Sequence, residues 1–131
     1  MEINRPKAAA GFAAYVKNYD VSDEKIRLKI EHTYKVADLC ERIAKSEGCL
    51  PQQVDTAWLI GLLHDIGRFE QLKRFGTFID SESIDHAVFG ADLLFGDGLI
   101  REFVEGDSGD ILLERAIRTH SAFRLPEDFD R

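Results

Sequence analysis

Five residues of this sequence have side chains that could act together in catalysis: His32, His64, Asp65, His86 and His120. They include all four histidines of the chain, and Asp65 directly follows one of them. Imidazole nitrogens and carboxylate oxygens are donors for divalent transition metals. Each histidine lies on an apolar stripe with helical spacing. Leu28, His32, Val36, Leu39 and Ile43 form the first stripe, and Val54, Ala57, Gly61 and His64 the second. His86, Phe89, Gly90 and Leu93 run beside a core stripe of Ile84, Val88, Ala91 and Leu94. Leu113, Ala116, Ile117 and His120 form the last. The spacing predicts one inward-facing histidine from each of four helices. A polar ring left unpaired in a core costs roughly 1–3 kcal/mol. A shared metal site removes that cost for all four rings. A hydrogen-bonded network of the rings with Asp65 would remove it as well, for little net stability.

The helices that must position these residues can be read from caps and breakers. Lys7 to Asn18 reads as a short first helix after Pro6. Ser22 or Asp23 caps a long second helix running to about Glu47, which Gly48 ends. Pro51 suits the first turn of a third helix, Gln52 to about Asp65, apolar nearly all round and therefore central. Gly61 lets another element approach closely. Arg68 to Glu82 reads as a loop with a short helical piece near Phe69–Phe75. Ser81 or Ser83 caps a fourth helix through about Phe95, a short helix follows at Leu99–Glu105, and Asp110 caps a last one through Ser121. No strand alternation, repeat or low-complexity tract interrupts this pattern. The predicted class is all-α, a single-domain bundle of about five to seven helices.

Composition narrows the function classes. The 131 residues make one ordinary domain, and 44% hydrophobic content suffices for a core. A net charge of −7 argues against a nucleic-acid polymer or an anionic membrane as partner. Cys40 and Cys49 are too few for a disulfide scaffold and read as reduced structural thiols. Met1 to Pro6 lacks the apolar core of a signal peptide, and no apolar run reaches the ~18–20 residues that span a bilayer. A cytoplasmic location is expected.

Against this background, His32-Thr33-Tyr34-Lys35-Val36-Ala37 and Leu62-Leu63-His64-Asp65-Ile66-Gly67-Arg68 resemble the first two motifs of the HD superfamily of metal-dependent phosphohydrolases. Asp85-His86-Ala87-Val88-Phe89-Gly90 resembles the third-histidine segment of its two-metal branch, and Ile117-Arg118-Thr119-His120 the fourth. The resemblance runs from about Ile26 to Arg124.

The resemblance implies an HD-like fold with one or two divalent transition metals: Fe, Mn or Zn, with Ni or Co less suited. His32, His64 and Asp65 would hold the first, and Asp65 would bridge to a second held by His86 and His120. The implied reaction is attack of metal-activated water on a phosphate ester or anhydride of a nucleotide or other small phosphorylated molecule. A local metal charge outweighs a diffuse acidic surface, so net charge does not oppose this substrate class. Asp65 and Arg68 are the candidate catalytic residues. Arg68 is also the first candidate for binding phosphate, and Lys35 the second; Lys73 and Arg74 read as solvated bases. Phe69, Phe75 and Phe78 either stack on a base or pack their segment down.

The family closes its first metal site with an Asp on a later helix. Only Asp128 and Asp130 follow His120 in that region, beyond Pro126. The expectation is one HD-like domain over 1–131 that lacks a C-terminal portion carrying that ligand. The alternative function is a non-catalytic HD-like domain acting as a ligand sensor or interaction scaffold.

Overall fold

In the computed structural model, residues 1–119 are described. His120, Asp128 and Asp130, three of the positions discussed above, lie outside them. The described residues are all-helical. Helices α1 (Arg5–Val16), α2 (Glu24–Ser46), α3 (Pro51–Leu63), α4 (Ile66–Phe75), α5 (His86–Ala91) and α6 (Asp110–Arg118) follow one another, with 3-10 turns at Asp80–Glu82 and Leu99–Glu102. A single wide π-helical turn, Asp92–Gly96, extends α5.

Local chemistry sets most of the ends. The Asn4 side chain accepts from the Lys7 N–H at 3.0 Å and starts α1, and that of Asp23 accepts from the Lys25 N–H at 2.8 Å and starts α2. Pro51 occupies the first turn of α3, where its missing N–H costs nothing. The Gln53 side chain reaches back to accept from the Leu50 N–H at 2.8 Å. Gly76, at φ 71°, closes α4 in the left-handed region.

The core lies between α3 and the elements around it. Leu59, Leu62, Leu63, Ile66, Phe69, Phe12, Phe103, Leu113 and Ile117 are fully buried. Burying each such side chain contributes ~1.5–3 kcal/mol. Phe12 and Phe69 meet edge-on at 6.1 Å between ring centroids. α3 is the central buried helix that its composition predicted, with Val54, Trp58, Leu59, Gly61, Leu62 and Leu63 all buried.

Three expectations are corrected. The first concerns α2, whose inward face is Ile26, Thr33, Ala37 and Ala44. Leu28 (54%), Leu39 (47%) and Ile43 (53%) are exposed instead. Small residues are selected here because the α2 and α3 backbones nearly touch: a Cβ on Gly61 would lie 2.8 Å from the Ala37 Cα. The large apolar side chains therefore flank the contact.

The second correction concerns the chain after Asp65, where the helical piece expected near Phe69–Phe75 is the ten-residue helix α4, beginning already at Ile66. Gly67 does not break it; a Cβ there would lie 2.7 Å from the His86 carbonyl oxygen and 2.8 Å from the Gly90 nitrogen. Gly67 is instead the crossing point of α4 and α5.

Third, Asp85 rather than Ser81 or Ser83 caps α5, accepting from the Ala87 and Val88 N–H groups at 3.0 and 3.2 Å. On α5, His86, Ala87, Phe89, Gly90 and Ala91 are buried, while Val88 of the expected core stripe turns outward.

Candidate metal centre

The corner between α3 and α4 builds the site. His64 is the residue that ends α3 and Asp65 the one that precedes α4. The Asp65 side chain does not cap α4. It turns instead toward histidines from two other helices, with only 5% of the residue exposed.

One carboxylate oxygen, Oδ2, lies 3.3 Å from His64 Nε2 and 3.7 Å from His32 Nε2. The other, Oδ1, lies 3.4 Å from His86 Nε2. Three of the sequence-predicted ligands thus converge on Asp65, arriving from α2, the end of α3 and the start of α5. His32 is half-exposed at the rim rather than aligned with core leucines, because α2 turns its small residues inward.

The ring orientations follow from the other nitrogens. His64 Nδ1 lies 2.6 Å from the Gly61 carbonyl oxygen. A carbonyl only accepts, so Nδ1 carries the proton and Nε2 points at the carboxylate. His86 Nδ1 lies 2.8 Å from Asp80 Oδ2, to which it donates, and the His86 backbone N–H donates to the same oxygen at 3.1 Å. Carboxylate or carbonyl partners on Nδ1 are how metal-ligating histidines are held in their tautomer.

Asp80 is held in turn by Arg68, whose Nη1 donates to Asp80 Oδ1 at 2.7 Å, to the Phe78 carbonyl at 2.6 Å and to Gln71 Oε1 at 2.9 Å. The fully buried Gln71 donates to Asp80 at 3.0 Å and to Ser83 Oγ at 2.9 Å.

Electrostatics favour an ionised carboxylate at Asp65. Burial by itself would raise the Asp65 carboxyl. Hydrogen bonds with His64 and His86 outweigh it, aided by the charges of His64 and Lys29, and hold the group far below the usual carboxylate range. Burial and then the Lys29 charge push His32 below its ordinary value, which favours the neutral ring. Burial would also raise Asp80, but hydrogen bonds from His86 and Gln71 bring it to about 2.

Ligand atoms of His32, His64 and Asp65 lie within 4.8 Å of one another. With ring nitrogens fixed toward one ionised oxygen, this donor set fits a borderline divalent metal. Asp80, Asp85 and His86 are equally close together. Their carboxylates, however, are already engaged by Arg68, Gln71 and the α5 N–H groups, so they support His86 rather than form a second centre.

The other candidates are distributed unevenly. Arg68 lies beside the site, but its charge is matched by Asp80. Lys35 is exposed on α2, one turn past His32. Arg74 pairs with Glu70 at 2.7 Å, and Lys73 is exposed. Phe69 packs into the core against Phe12, Tyr15 and Tyr19. Phe75 is exposed. Phe78 lies next to the site, with its ring 5.3 Å from Lys29 Nζ. Cys40 and Cys49 are free thiols. A cavity of about 560 Å³ between α1, α4 and the Leu99–Glu102 turn contains none of the metal-ligand candidates.

Two residues were missed by the sequence reading. Lys29 donates to Asp65 Oδ2 at 3.2 Å; it precedes His32 by three residues, a same-face spacing that could have identified it. Asp80 has no periodic signal, because it belongs to an irregular turn.

Comparison with known proteins agrees with this geometry. The 3'3'-cGAMP-specific phosphodiesterase 1 of Vibrio cholerae serotype O1 is 30% identical over 94 residues, covering 64% of this chain and 22% of that protein. The chain therefore spans about a fifth of that relative's length. No solved structure matches. No helix among the described residues is long and apolar enough to cross a membrane. Residues 30–127 match the family described as the HD domain. That match covers most of the sequence and includes every histidine that converges on Asp65, and on this basis the chain belongs to the HD domain family.

Proposed function

We propose that this chain is a metal-dependent phosphohydrolase acting on a phosphate ester or anhydride of a nucleotide or other small phosphorylated molecule. The observation that carries the reading is one buried, ionised carboxylate, Asp65, facing imidazoles from three helices. The relative from Vibrio cholerae, named for phosphodiesterase activity on a cyclic dinucleotide, favours a nucleotide phosphodiester as the first substrate class to test.

His32, His64 and Asp65 would hold one metal, and Asp65 with His86 and His120 a second. When bound, such metals supply Lewis acidity at phosphoryl oxygens and lower the pKa of water. The chain's own residues set the geometry. Gly61 fixes the tautomer of His64, and Asp80 that of His86. Arg68 acts on the site through Asp80, holding the carboxylate that holds His86. Lys35, exposed past His32, is the available cation for a substrate phosphate. The Phe78 ring is an apolar surface beside the site on which a base could lie.

The test is hydrolysis of a generic phosphodiester and a panel of nucleotides and cyclic dinucleotides with added Mn²⁺. His64→Ala is expected to abolish turnover. Absence of turnover by the wild type across the panel would overturn the reading. One observation favours a non-catalytic HD-like domain: Lys29 already neutralises Asp65. That alternative requires ligand or partner affinity to be unchanged in His64→Ala.

A further inference from the structure

Lys29 lies on α2 one turn before His32, so both reach Asp65 from the same helix face. Its side chain is 18% exposed, and its ammonium lies 3.2 Å from Asp65 Oδ2. That is the oxygen that also faces His32 at 3.7 Å and His64 at 3.3 Å. The Phe78 ring lies 5.3 Å from the same ammonium, a cation–π distance that shields it from water on that side.

A carboxylate as buried as Asp65 is unfavourable without a counter-charge. The sequence supplies one in Lys29. A divalent metal held by His32, His64 and Asp65 would need the same oxygen. Two cations cannot share one carboxylate oxygen at these distances without strong repulsion in a partly desolvated site. The ammonium therefore opposes metal entry for as long as it stays in place. The lysine stem is flexible enough to move away, whereas the His64 ring is held by the Gly61 carbonyl.

We infer that Lys29 is the resident counter-ion of Asp65 and that its displacement sets how tightly the His32–His64–Asp65 group takes a divalent metal. The inference rests on the metal-site reading above and adds a residue that is not itself a ligand. It makes metal loading an exchange of one cation for another, so metal affinity is lower than the ligand set alone would give.

The experiment is equilibrium dialysis of the whole chain against Mn²⁺, with circular dichroism to confirm equal helicity. Lys29→Met keeps the stem and removes the charge; it is expected to bind Mn²⁺ about three- to tenfold more tightly than wild type. Lys29→Arg keeps a cation and is expected to stay within about twofold of wild type. Lys29→Gln gives a second neutral variant if the methionine form folds poorly. Unchanged or weaker binding in both neutral variants, with wild type still binding Mn²⁺, overturns the inference and leaves the metal-site reading standing. Saturable binding in a neutral variant but none in wild type supports the inference in its strongest form. Binding in neither overturns both.

Discussion

Gly61 of α3 faces the backbone of Ala37 on α2 so closely that a Cβ on the glycine would lie 2.8 Å from the Ala37 Cα and 3.1 Å from its nitrogen. His32 and His64 lie on these two helices and meet at Asp65 because the backbones can nearly touch. Glycine to alanine inside an exposed helix stabilises by ~1 kcal/mol. Here the opposite sign is expected. Gly61→Ala must push the helices apart, costing ~1–3 kcal/mol as overpacking does, and it should weaken metal binding by the same movement. Urea denaturation gives the first quantity and Mn²⁺ dialysis the second. A gain in stability would contradict the packing described.

Asp80 controls His86 without facing Asp65 itself. Asp80→Asn keeps the shape, but the charge that receives the His86 Nδ1–H and Arg68 Nη1 hydrogen bonds is lost. Loss of such a supporting carboxylate typically costs 10–100-fold in metal affinity or activity. The expected result is a loss of that order with helicity retained, read by Mn²⁺ titration and circular dichroism. Wild-type affinity in the variant would show that Asp80 does not orient the ring.

Arg5 joins three helices through charge. Its Nε lies 2.8 Å from Asp55 and its Nη2 3.0 Å from Glu41, and its guanidinium lies 4.7 Å from the centre of the Trp58 ring. Hydrogen bonds from Arg5 and then Lys45 hold the Glu41 carboxyl below its ordinary 4.5. A depressed carboxyl adds stability above its unfolded pKa and loses it as pH falls through the folded value. Arg5→Ala is therefore expected to cost about 1 kcal/mol at neutral pH. The difference from wild type should shrink as pH falls below about 4.5. Thermal melts of both proteins across that range check the sign.

Much of this was legible because it depends on periodicity and punctuation. The all-α class, the buried α3, the Leu113–Ile117 face of α6 and the convergence of His32, His64 and His86 on Asp65 follow from helical spacing, caps and motif text. Two of the departures share one physical origin: glycine is ambiguous in sequence. Gly67 lies ahead of the helical piece read near Phe69–Phe75, yet it is a backbone crossing within α4. The large residues of the Leu28–Ile43 stripe look like a core face, yet close packing at Gly61 selects the small residues beside them. Lys29 and Asp80 escaped notice because they act on ligands rather than serve as ligands, and a motif records ligands.

The most direct test of the central claim is transition-metal content, measured by elemental analysis of the whole chain after loading and desalting, for wild type and Asp65→Ala side by side. The expected result is at least about one ion per chain in wild type and a large loss in the variant, since every converging histidine shares that carboxylate. A wild-type protein without bound metal, or equal metal in both, would contradict the account.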